Sequence, residues 1–253
     1  MIRTKGVKKA FGDKAVLHGI DAEFKSGQVN FIIGRSGSGK SVLTKCMVGL
    51  LEVDFGSVEY GDAVFSELNR KGREAVRREI GMLFQGGALF DSMTVLENVE
   101  FPLRMFGEMS EDERKARAME CLRRVELLGA EHRFPAEVSG GMQKRVALAR
   151  AIVGKPKYLF CDEPNSGLDP QTAIIIDNLI KDLTHEYGTT TVVISHDMNS
   201  VIEIGESIHF LHEGRVAWHG DRQSILDSGV QSLDQFVYAS DLMKDIRNQL
   251  RRK

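Results

Sequence analysis

The chain has 253 residues, 42% of them hydrophobic, which is enough for one large domain or two small ones with a substantial core. Its formal net charge of −2 gives no reason to expect binding to nucleic acid. No run approaches the roughly 18 uninterrupted apolar residues of a membrane span, and the first residues lack the apolar core of a secretion signal. The widely separated cysteines, Cys46, Cys121 and Cys161, form no CxxC pair and suit a reducing compartment as buried free thiols. We therefore expect a globular protein of the cytosol.

The first part of the chain is predicted to be rich in strands, with turns at Gly12 and Gly27. The pattern predicts strands over residues 2–9, 15–24 and 28–33, a helix over 40–50, a short strand over 57–60, a charged helix over 72–79 and a strand over 80–84. This order is a βαβ rhythm with additional β segments.

From residue 94 to residue 154 the pattern becomes almost wholly helical, and Ser110 and Glu113 form a capping box that opens one of the helices. Two apolar, β-branched runs over residues 158–161 and 190–195 then predict buried parallel strands. We therefore expect an α/β fold with a core of about residues 1–90 and 155–230 and an inserted helical subdomain of about residues 91–154.

The last segment, residues 231–253, is amphipathic and is predicted to be a helical extension, with Phe236, Met243 and Leu250 seven residues apart. We expect it to pack against its own domain. Docking onto a partner is the alternative, because a terminal helix needs an apolar surface to lie on.

Residues 34–41 read GRSGSGKS, a complete GxxxxGKS loop between an apolar run and a helix-like stretch. In such a loop the glycines let backbone N–H groups converge on a polyphosphate, the lysine reaches the outer phosphates and the serine hydroxyl binds Mg²⁺. The residues assigned to the nucleotide are Gly34, Ser36, Gly37, Ser38, Gly39, Lys40 and Ser41. A glycine-rich turn is the alternative, which the motifs further along the chain disfavour.

A second motif is the run 158–163, in which a buried strand ends in the adjacent carboxylates Asp162 and Glu163. Neighbouring side chains of a strand point to opposite faces, so the two carboxylates can have separate tasks. We expect Asp162 to hold the Mg²⁺ shell and Glu163 to act as the general base on a water at the γ-phosphate. A simple turn at the Asp-Glu-Pro sequence is the alternative.

A third motif is the run 138–145, VSGGMQKR, which precedes a helical stretch. Ser139 is predicted to be the N-cap. A helix entered through Gly140 and Gly141 presents bare N–H groups and a positive dipole end to an anion. The run therefore predicts a second phosphate-binding element, with a capped helix start as the simpler alternative.

Over about residues 1–225 these motifs resemble, in order and spacing, the nucleotide-binding subunit of ATP-binding cassette (ABC) transporters. The resemblance implies a P-loop NTPase fold with a RecA-like core, an N-terminal antiparallel β subdomain and an inserted α-helical subdomain. It also implies ATP and Mg²⁺ as cofactors and ATP hydrolysis as the activity. The motifs it identifies are the Walker A loop at 34–41, the Q-loop glutamine Gln85, the signature loop at 139–142, the Walker B end at Asp162 and Glu163, the D-loop at 166–169 and the switch histidine His196.

The same resemblance assigns roles to further residues. Phe11 is expected to stack on adenine, and Gly12 beside it favours an exposed loop tip over a core position. Gln85 is expected to touch Mg²⁺ and the attacking water, with Ser41 and Asp162 as the other metal contacts. His196 is expected to hydrogen-bond the γ-phosphate, although a lone histidine is more often structural.

In this family the signature loop closes on ATP bound by the opposite subunit, so the resemblance implies a second ATPase subunit, in the simplest case a homodimer. Asp169 of the D-loop is expected across that interface. The apolar surface after Gln85 is expected to receive a transmembrane permease, with packing of Ala88, Leu89 and Phe90 inside the helical subdomain as the alternative. The resemblance places the chain at the cytoplasmic side of the inner (plasma) membrane as a peripheral protein.

The signature loop ends in Met142 where the usual form, LSGGQ, has glutamine. Together with residues 84–99 the SGGM form resembles the Mla/Mce-type lipid-transport ATPases. This implies transport of phospholipid or other hydrophobic molecules across the envelope, with an Mce-type substrate-binding protein as a further partner. An ATPase of an amino-acid or other solute importer shares every catalytic motif and is the alternative. A soluble, non-transport ABC ATPase is disfavoured, because the chain has one cassette and no basic face.

Overall fold

The computed structural model describes residues 1–106 and 109–239. The strands are β1 (Ile2–Phe11), β2 (Lys14–Phe24), β3 (Val29–Ile33), β4 (Phe55–Tyr60), β5 (Ala63–Val64), β6 (Ile80–Leu83), β7 (Tyr158–Asp162), β8 (Thr190–Ile194), β9 (Ser207–His212) and β10 (Arg215–Gly220). The helices are α1 (Lys40–Met47), α2 (Arg70–Arg78), α3 (Val95–Phe106), α4 (Glu111–Arg124), α5 (Gly140–Ile152), α6 (Pro170–Tyr187), α7 (Met198–Ile204) and α8 (Gln231–Val237). The chain divides into two compact units.

The first unit contains residues 1–25 and 29–68 and the described residues from Ile194 onward. Its antiparallel sheet has the strand order β2-β1-β4-β5, and β10, β9 and β3 follow one another in a second sheet. In the second sheet β3 runs parallel to β9, with Ile32 opposite His209. All five residues of β3 are buried, which gives the loop that follows it a rigid base.

The second unit contains residues 26–28 and 69–193. Strands β8, β7 and β6 are neighbours in that order, and β6 pairs in parallel with β7. Between Val95 and Ile152 the described residues form helices and their connections, as the sequence predicted. The capping box at Ser110 and Glu113 is present at the start of α4, so the backbone N–H groups of these two residues each find a side-chain acceptor.

The predicted elements up to β8 are confirmed within a few residues, but the β9–β10 hairpin was missed. Its turn uses Glu213 and Gly214, both at positive φ (47° and 69°), and a Glu-Gly pair is a weaker turn signal than Asn-Gly or Asp-Gly. Strand β9 also carries buried polar residues, among them Ser207 and His209. They interrupt the apolar run by which a buried strand is predicted from sequence. Of the predicted C-terminal helix, α8 is observed, and residues 240–253 lie outside the described residues.

The three cysteines are buried free thiols, as the sequence predicted. Burial raises the pKa of Cys46 and of Cys121 to about 11, so both stay protonated near neutral pH. Among the described residues no helix is long and apolar enough to cross a membrane.

His209 is a buried titratable group in the first unit. Its ring stacks on that of His219 at 4.3 Å and lies 4.8 Å from the ring of Phe24. Burial, and after it the neighbouring His219, lowers the pKa of His209 to about 3 from an ordinary value of 6.5. The folded protein therefore holds His209 neutral, whereas the unfolded chain binds a proton below pH 6.5.

We expect this group to make the fold sensitive to mild acid. Because the folded pKa lies below the unfolded one, stability is lost as pH falls from 6.5 toward about 3, by about 1.4 kcal/mol per pH unit. Urea unfolding at pH 7 and at pH 5 measures the free energy of unfolding. Between these two pH values His209→Phe should lose about 2 kcal/mol less of it than the unchanged protein. Equal losses in the two proteins would contradict this role of His209.

Candidate functional site

The glycine-rich loop lies in the first unit, between the buried strand β3 and helix α1. Gly39, the residue before α1, has left-handed φ and ψ of 105° and 0°, and the described chain offers no side-chain cap to this helix start. The first N–H groups of a helix have no partner inside the helix, so they present a positive end to an anion. The loop is therefore built to receive phosphate.

Two of the glycines are required by close contacts. A Cβ on Gly34 would lie 2.3 Å from the carbonyl oxygen of Leu211 and 2.8 Å from Ser38 Oγ. A Cβ on Gly39 would lie 2.8 Å from Leu17 Cδ2. Both positions also have positive φ, which favours glycine.

The polar side chains of the loop fit a triphosphate. Lys40 Nζ donates to the carbonyl oxygens of Gly34 (2.7 Å) and Arg35 (3.1 Å), which folds the ammonium group over the loop. Ser38 Oγ is buried and has no hydrogen-bond partner among the described residues, so a phosphate oxygen would satisfy it. Ser41 is exposed in the first turn of α1, and Ser36 and Gly37 are exposed at the tip of the loop.

His196 also lies in the first unit and follows β8. The N–H of Ser195 donates to the carbonyl oxygen of Ile32 at 3.3 Å, so this segment runs beside the end of β3 that leads into the loop. His196 is exposed, as a side chain that meets a ligand must be. Polar groups at the carboxyl ends of strands are where α/β sheets bind ligands.

Phe11 ends β1 and is 48% exposed, beside a turn in which Gly12 has a φ of 57°. Lys9 Nζ lies 5.7 Å from the centre of its ring. The alternative of a core position for Phe11 is therefore wrong. The exposed ring has the position needed to stack on a planar ligand.

We expect Phe11→Ala to weaken ATP binding by about 1 to 3 kcal/mol, the usual value of a base stacked on an aromatic ring. Titration of a fluorescent ATP analogue would measure it, with Phe11→Trp as the matched variant that keeps a stacking surface. Unchanged affinity in Phe11→Ala would contradict the stacking role.

In the second unit, β7 ends at Asp162 and the chain turns at Glu163. Glu163 has a φ of 48°, a left-handed conformation that costs a non-glycine residue about 1 to 3 kcal/mol. Both carboxylates are half-buried. Such strain is concentrated at functional sites, and no sequence pattern around Glu163 predicted it.

Lys144 is a residue of this region that sequence reasoning missed. It lies on α5, is 6% exposed and donates from Nζ to the carbonyl oxygen of Gln85. Burial lowers the pKa of Lys144, and the charges of Asp162 and Glu163 partly oppose that effect. Lys144 therefore brings the predicted glutamine and the predicted carboxylate pair into one electrostatic neighbourhood. The side chain of Gln85 is exposed beside it.

The signature segment has the predicted cap. Ser139 is the N-cap of α5, and its Oγ accepts from the N–H of Met142 at 3.3 Å. Gln143 Nε2 donates to the carbonyl oxygens of Pro135 (2.9 Å) and Val138 (3.4 Å), which fixes the approach to the loop. Gly140 is the exposed first residue of α5.

Gly141 and Asp169 are connected through Thr172. A Cβ on Gly141 would lie 2.5 Å from Thr172 Cγ2, so only glycine fits there. Thr172 Oγ1 donates to Asp169 at 2.6 Å, and Asp169 also caps α6 by accepting from the N–H groups of Gln171 and Thr172. The hydroxyl of Thr172 is the first cause of the lowered pKa of the Asp169 carboxyl. Thr172 therefore links the start of the signature helix with Asp169 of the D-loop.

The architecture and these residues define a P-loop nucleoside triphosphatase with an antiparallel β sheet and a helical part. The profile of the family described as "ABC transporter" matches residues 17–166. The chain belongs to the ABC transporter family and is an ATP-binding subunit that hydrolyses ATP with Mg²⁺ as the partner ion.

The chain is similar along most of its length to ATP-binding proteins of different transporters. The chain is 36% identical over 236 residues to the "probable ribonucleotide transport ATP-binding protein mkl" of Mycobacterium leprae, covering 93% of this chain and 68% of the relative. It is 39% identical over 239 residues to the "glutamine transport ATP-binding protein GlnQ" of Escherichia coli, covering 94% of this chain and 98% of the relative. The chain thus spans about two thirds of the mycobacterial protein.

Among solved structures, a dimeric post-hydrolysis state of the ATP-binding cassette MJ0796, bound to ADP and Pi, matches with a TM-score of 0.79 and 36% identity. The match covers 88% of this chain and 99% of the other. It confirms the predicted cassette fold.

Proposed function

We propose that this chain is the ATP-hydrolysing motor subunit of a transporter that moves phospholipid or another hydrophobic molecule across the cell envelope. The cargo proposal is carried by one observation, the resemblance of the SGGM signature loop together with residues 84–99 to the lipid-transport ATPases. The alternative is a solute importer, which the names of relatives that transport glutamine or ribonucleotide support. The proposed borders are a domain over residues 1–230, its helical subdomain over about 91–154, and an extension over 231–253.

The residues divide the chemistry among them. The N–H groups at the start of α1 and the ammonium of Lys40 would hold the phosphates, and Ser38 Oγ offers a further donor. Ser41, Asp162 and Gln85 would hold Mg²⁺, which supplies charge neutralisation at the phosphates. The carboxylate of Glu163 takes a proton from the attacking water.

A second subunit completes the proposed site. Ser139 caps α5, and the N–H groups of the helix start at Gly140 and Gly141 suit a γ-phosphate held by another chain. The dimeric MJ0796 cassette supports this arrangement. Asp169, fixed to Thr172 beside Gly141, would lie at the same interface. We propose a homodimer as the simplest assembly.

A groove in the second unit supports docking of a membrane permease. It has a volume of about 740 Å³ and is lined by apolar side chains from segments before and after Gln85 and by arginines. The apolar lining includes Met82, Phe84, Phe90, Phe106 and Met109, and the arginines include Arg77 and Arg78. Phe84 and Phe90 are 39% and 40% exposed and line the same groove, and contiguous exposed apolar side chains mark interaction sites. We propose that a permease helix occupies this groove at the cytoplasmic side of the inner membrane, with an Mce-type protein in the complex and no nucleic acid.

The cargo is tested by purifying the full chain from membranes with its partners and identifying proteins and bound lipid by mass spectrometry. Recovery of a permease, an Mce-type protein and phospholipid is the expected result. Recovery with a solute-binding protein and an amino acid or nucleotide would overturn the lipid proposal and support the importer. A matched preparation with Phe84→Ser and Phe90→Ser should lose the permease while keeping ATP binding.

A further inference from the structure

Helix α5 holds the loop at residues 85–88 by three backbone carbonyl oxygens. Lys144 Nζ donates to the carbonyl of Gln85. Arg150 donates from Nη2 to the carbonyl of Gly87 at 2.6 Å and from Nη1 to that of Ala88 at 2.8 Å. The two basic side chains thus fasten nearly the whole loop to one helix.

The loop has a conformation that needs this support. Gly87 has a φ of 74°, and Ala88 has a φ of 48°, which a residue with a Cβ rarely adopts. The N–H of Gly87 donates to the carbonyl of Phe84 at 2.8 Å and closes a turn after β6. A tight, strained turn persists only where the surrounding structure over-determines it.

The fastening groups are buried. Lys144 is 6% exposed and Arg150 is 9% exposed. Burying a charge is costly unless its donors are satisfied, so the carbonyl oxygens of the loop and the basic groups depend on each other. A Cβ on Gly87 would lie 3.8 Å from Ala147 Cβ and 4.0 Å from the carbonyl oxygen of Gln143, which shows that the loop also contacts α5 directly.

The same helix begins at the signature segment. Ser139 caps α5, and Lys144 lies in the second turn of this helix. The charge of Lys144 interacts with those of Asp162 and Glu163. A hydrogen-bonded helix is stiff over this length, so a displacement at Gly140 is transmitted to Lys144 and from there to the carbonyl of Gln85.

We propose that Lys144 is a positioning residue for Gln85, which makes the location of that glutamine follow the movement of the signature helix. The inference rests on the proposed role of Gln85 in hydrolysis. When the start of α5 is drawn onto a phosphate, Lys144 and Arg150 carry the loop with it. The Gln85 side chain then reaches its working position only after the signature segment has engaged.

Lys144→Met removes the donor while keeping an unbranched side chain. We expect kcat for ATP hydrolysis by the full chain to fall about 10- to 100-fold, as for a catalytic group misplaced by about 1 Å, with KM for ATP changed less than about threefold. Lys144→Gln keeps an N–H donor without the charge and should stay within about threefold of the unchanged protein. If Lys144→Gln were as slow as Lys144→Met, the hydrogen-bond role would be overturned.

Arg145→Met is the matched control on the same helix. Arg145 Nη1 also donates to backbone carbonyls, those of Val125 (3.3 Å) and Glu126 (3.2 Å), but not to the Gln85 loop. We expect it to keep kcat within about threefold. Equal losses in Arg145→Met and Lys144→Met would show a general effect on α5 and overturn the inference, and thermal unfolding of each variant checks that the comparison is between folded proteins.

A double-mutant cycle with Gln85→Ala tests whether Lys144 acts through that residue. The double variant should be no slower than Gln85→Ala alone, because the positioned group is already gone. Losses that multiply would overturn the inference. Gln85→Ala with unchanged kcat would overturn both the inference and the role of Gln85, whereas the cargo proposal fails only in the partner and lipid experiment.

Discussion

Glu163→Gln is expected to lower kcat for ATP hydrolysis by about 10² to 10⁴, the usual loss when a general base is removed. The amide has the size of the carboxylate but cannot accept a proton from the attacking water. Glu163 directly follows the buried strand β7 and has a left-handed backbone conformation with a φ of 48°. Steady-state phosphate release at saturating MgATP measures the effect.

The chain offers a matched control for this variant. Glu213 is also a glutamate at positive φ (47°), but it lies exposed in the β9–β10 turn. Glu213→Gln should hydrolyse ATP at the unchanged rate. If both substitutions had the same small effect, Glu163 would not be the base.

Glu163→Gln should also accumulate an ATP-bound dimer, because binding and closure proceed while hydrolysis stops. Gel filtration with saturating MgATP should shift the variant to the dimer volume, and removal of Mg²⁺ with EDTA should reverse the shift. Elution as monomer alone under these conditions would contradict a site shared by two chains.

His196→Ala is expected to lower kcat by about 10² to 10³, the range found when one donor to a developing negative charge is removed. The residue is exposed at the end of β8, and its neighbour Ser195 bonds to Ile32 beside the phosphate loop. ATP affinity should change little, because Lys40 and the start of α1 still hold the phosphates.

Parallel measurements of kcat and of nucleotide affinity separate the two effects of His196→Ala. His132 is an exposed histidine of the second unit, and His132→Ala is the control, which should have the unchanged rate. Full ATPase activity in His196→Ala would contradict a role of His196 in hydrolysis.

Short-range features of this protein follow from its sequence. A cap bonds to a backbone N–H three residues away, so Ser139 and Ser110 could be predicted as helix starts and are observed as such. The GRSGSGKS loop is local in the same way, because Lys40 donates to the carbonyl oxygens of Gly34 and Arg35 in the same loop. Runs of apolar and β-branched residues predicted most strands, because such a pattern also depends only on neighbours in the chain.

Features that join distant segments were not predicted. Lys144 and Gln85 are 59 residues apart, and nothing in the pattern around either one indicates the other. Asp169 was predicted for an interface between chains, and the structure shows that its carboxylate also caps α6 and bonds to Thr172, beside Gly141. The β9–β10 hairpin was missed because the buried polar groups of β9 find partners only in the folded chain, as Ser207 does in His219.

The sequence by itself determined the chemistry: a phosphate loop, two carboxylates at a strand end, and a capped helix start of the ABC type. The tertiary structure decided how these parts are held, through the left-handed Glu163, the neutral buried His209, and the two basic side chains of α5 on the Gln85 loop. The reason is physical. Local hydrogen bonds and periodicity depend on neighbours in the chain, whereas backbone strain, desolvation and long-range hydrogen bonds depend on which segments packing brings together.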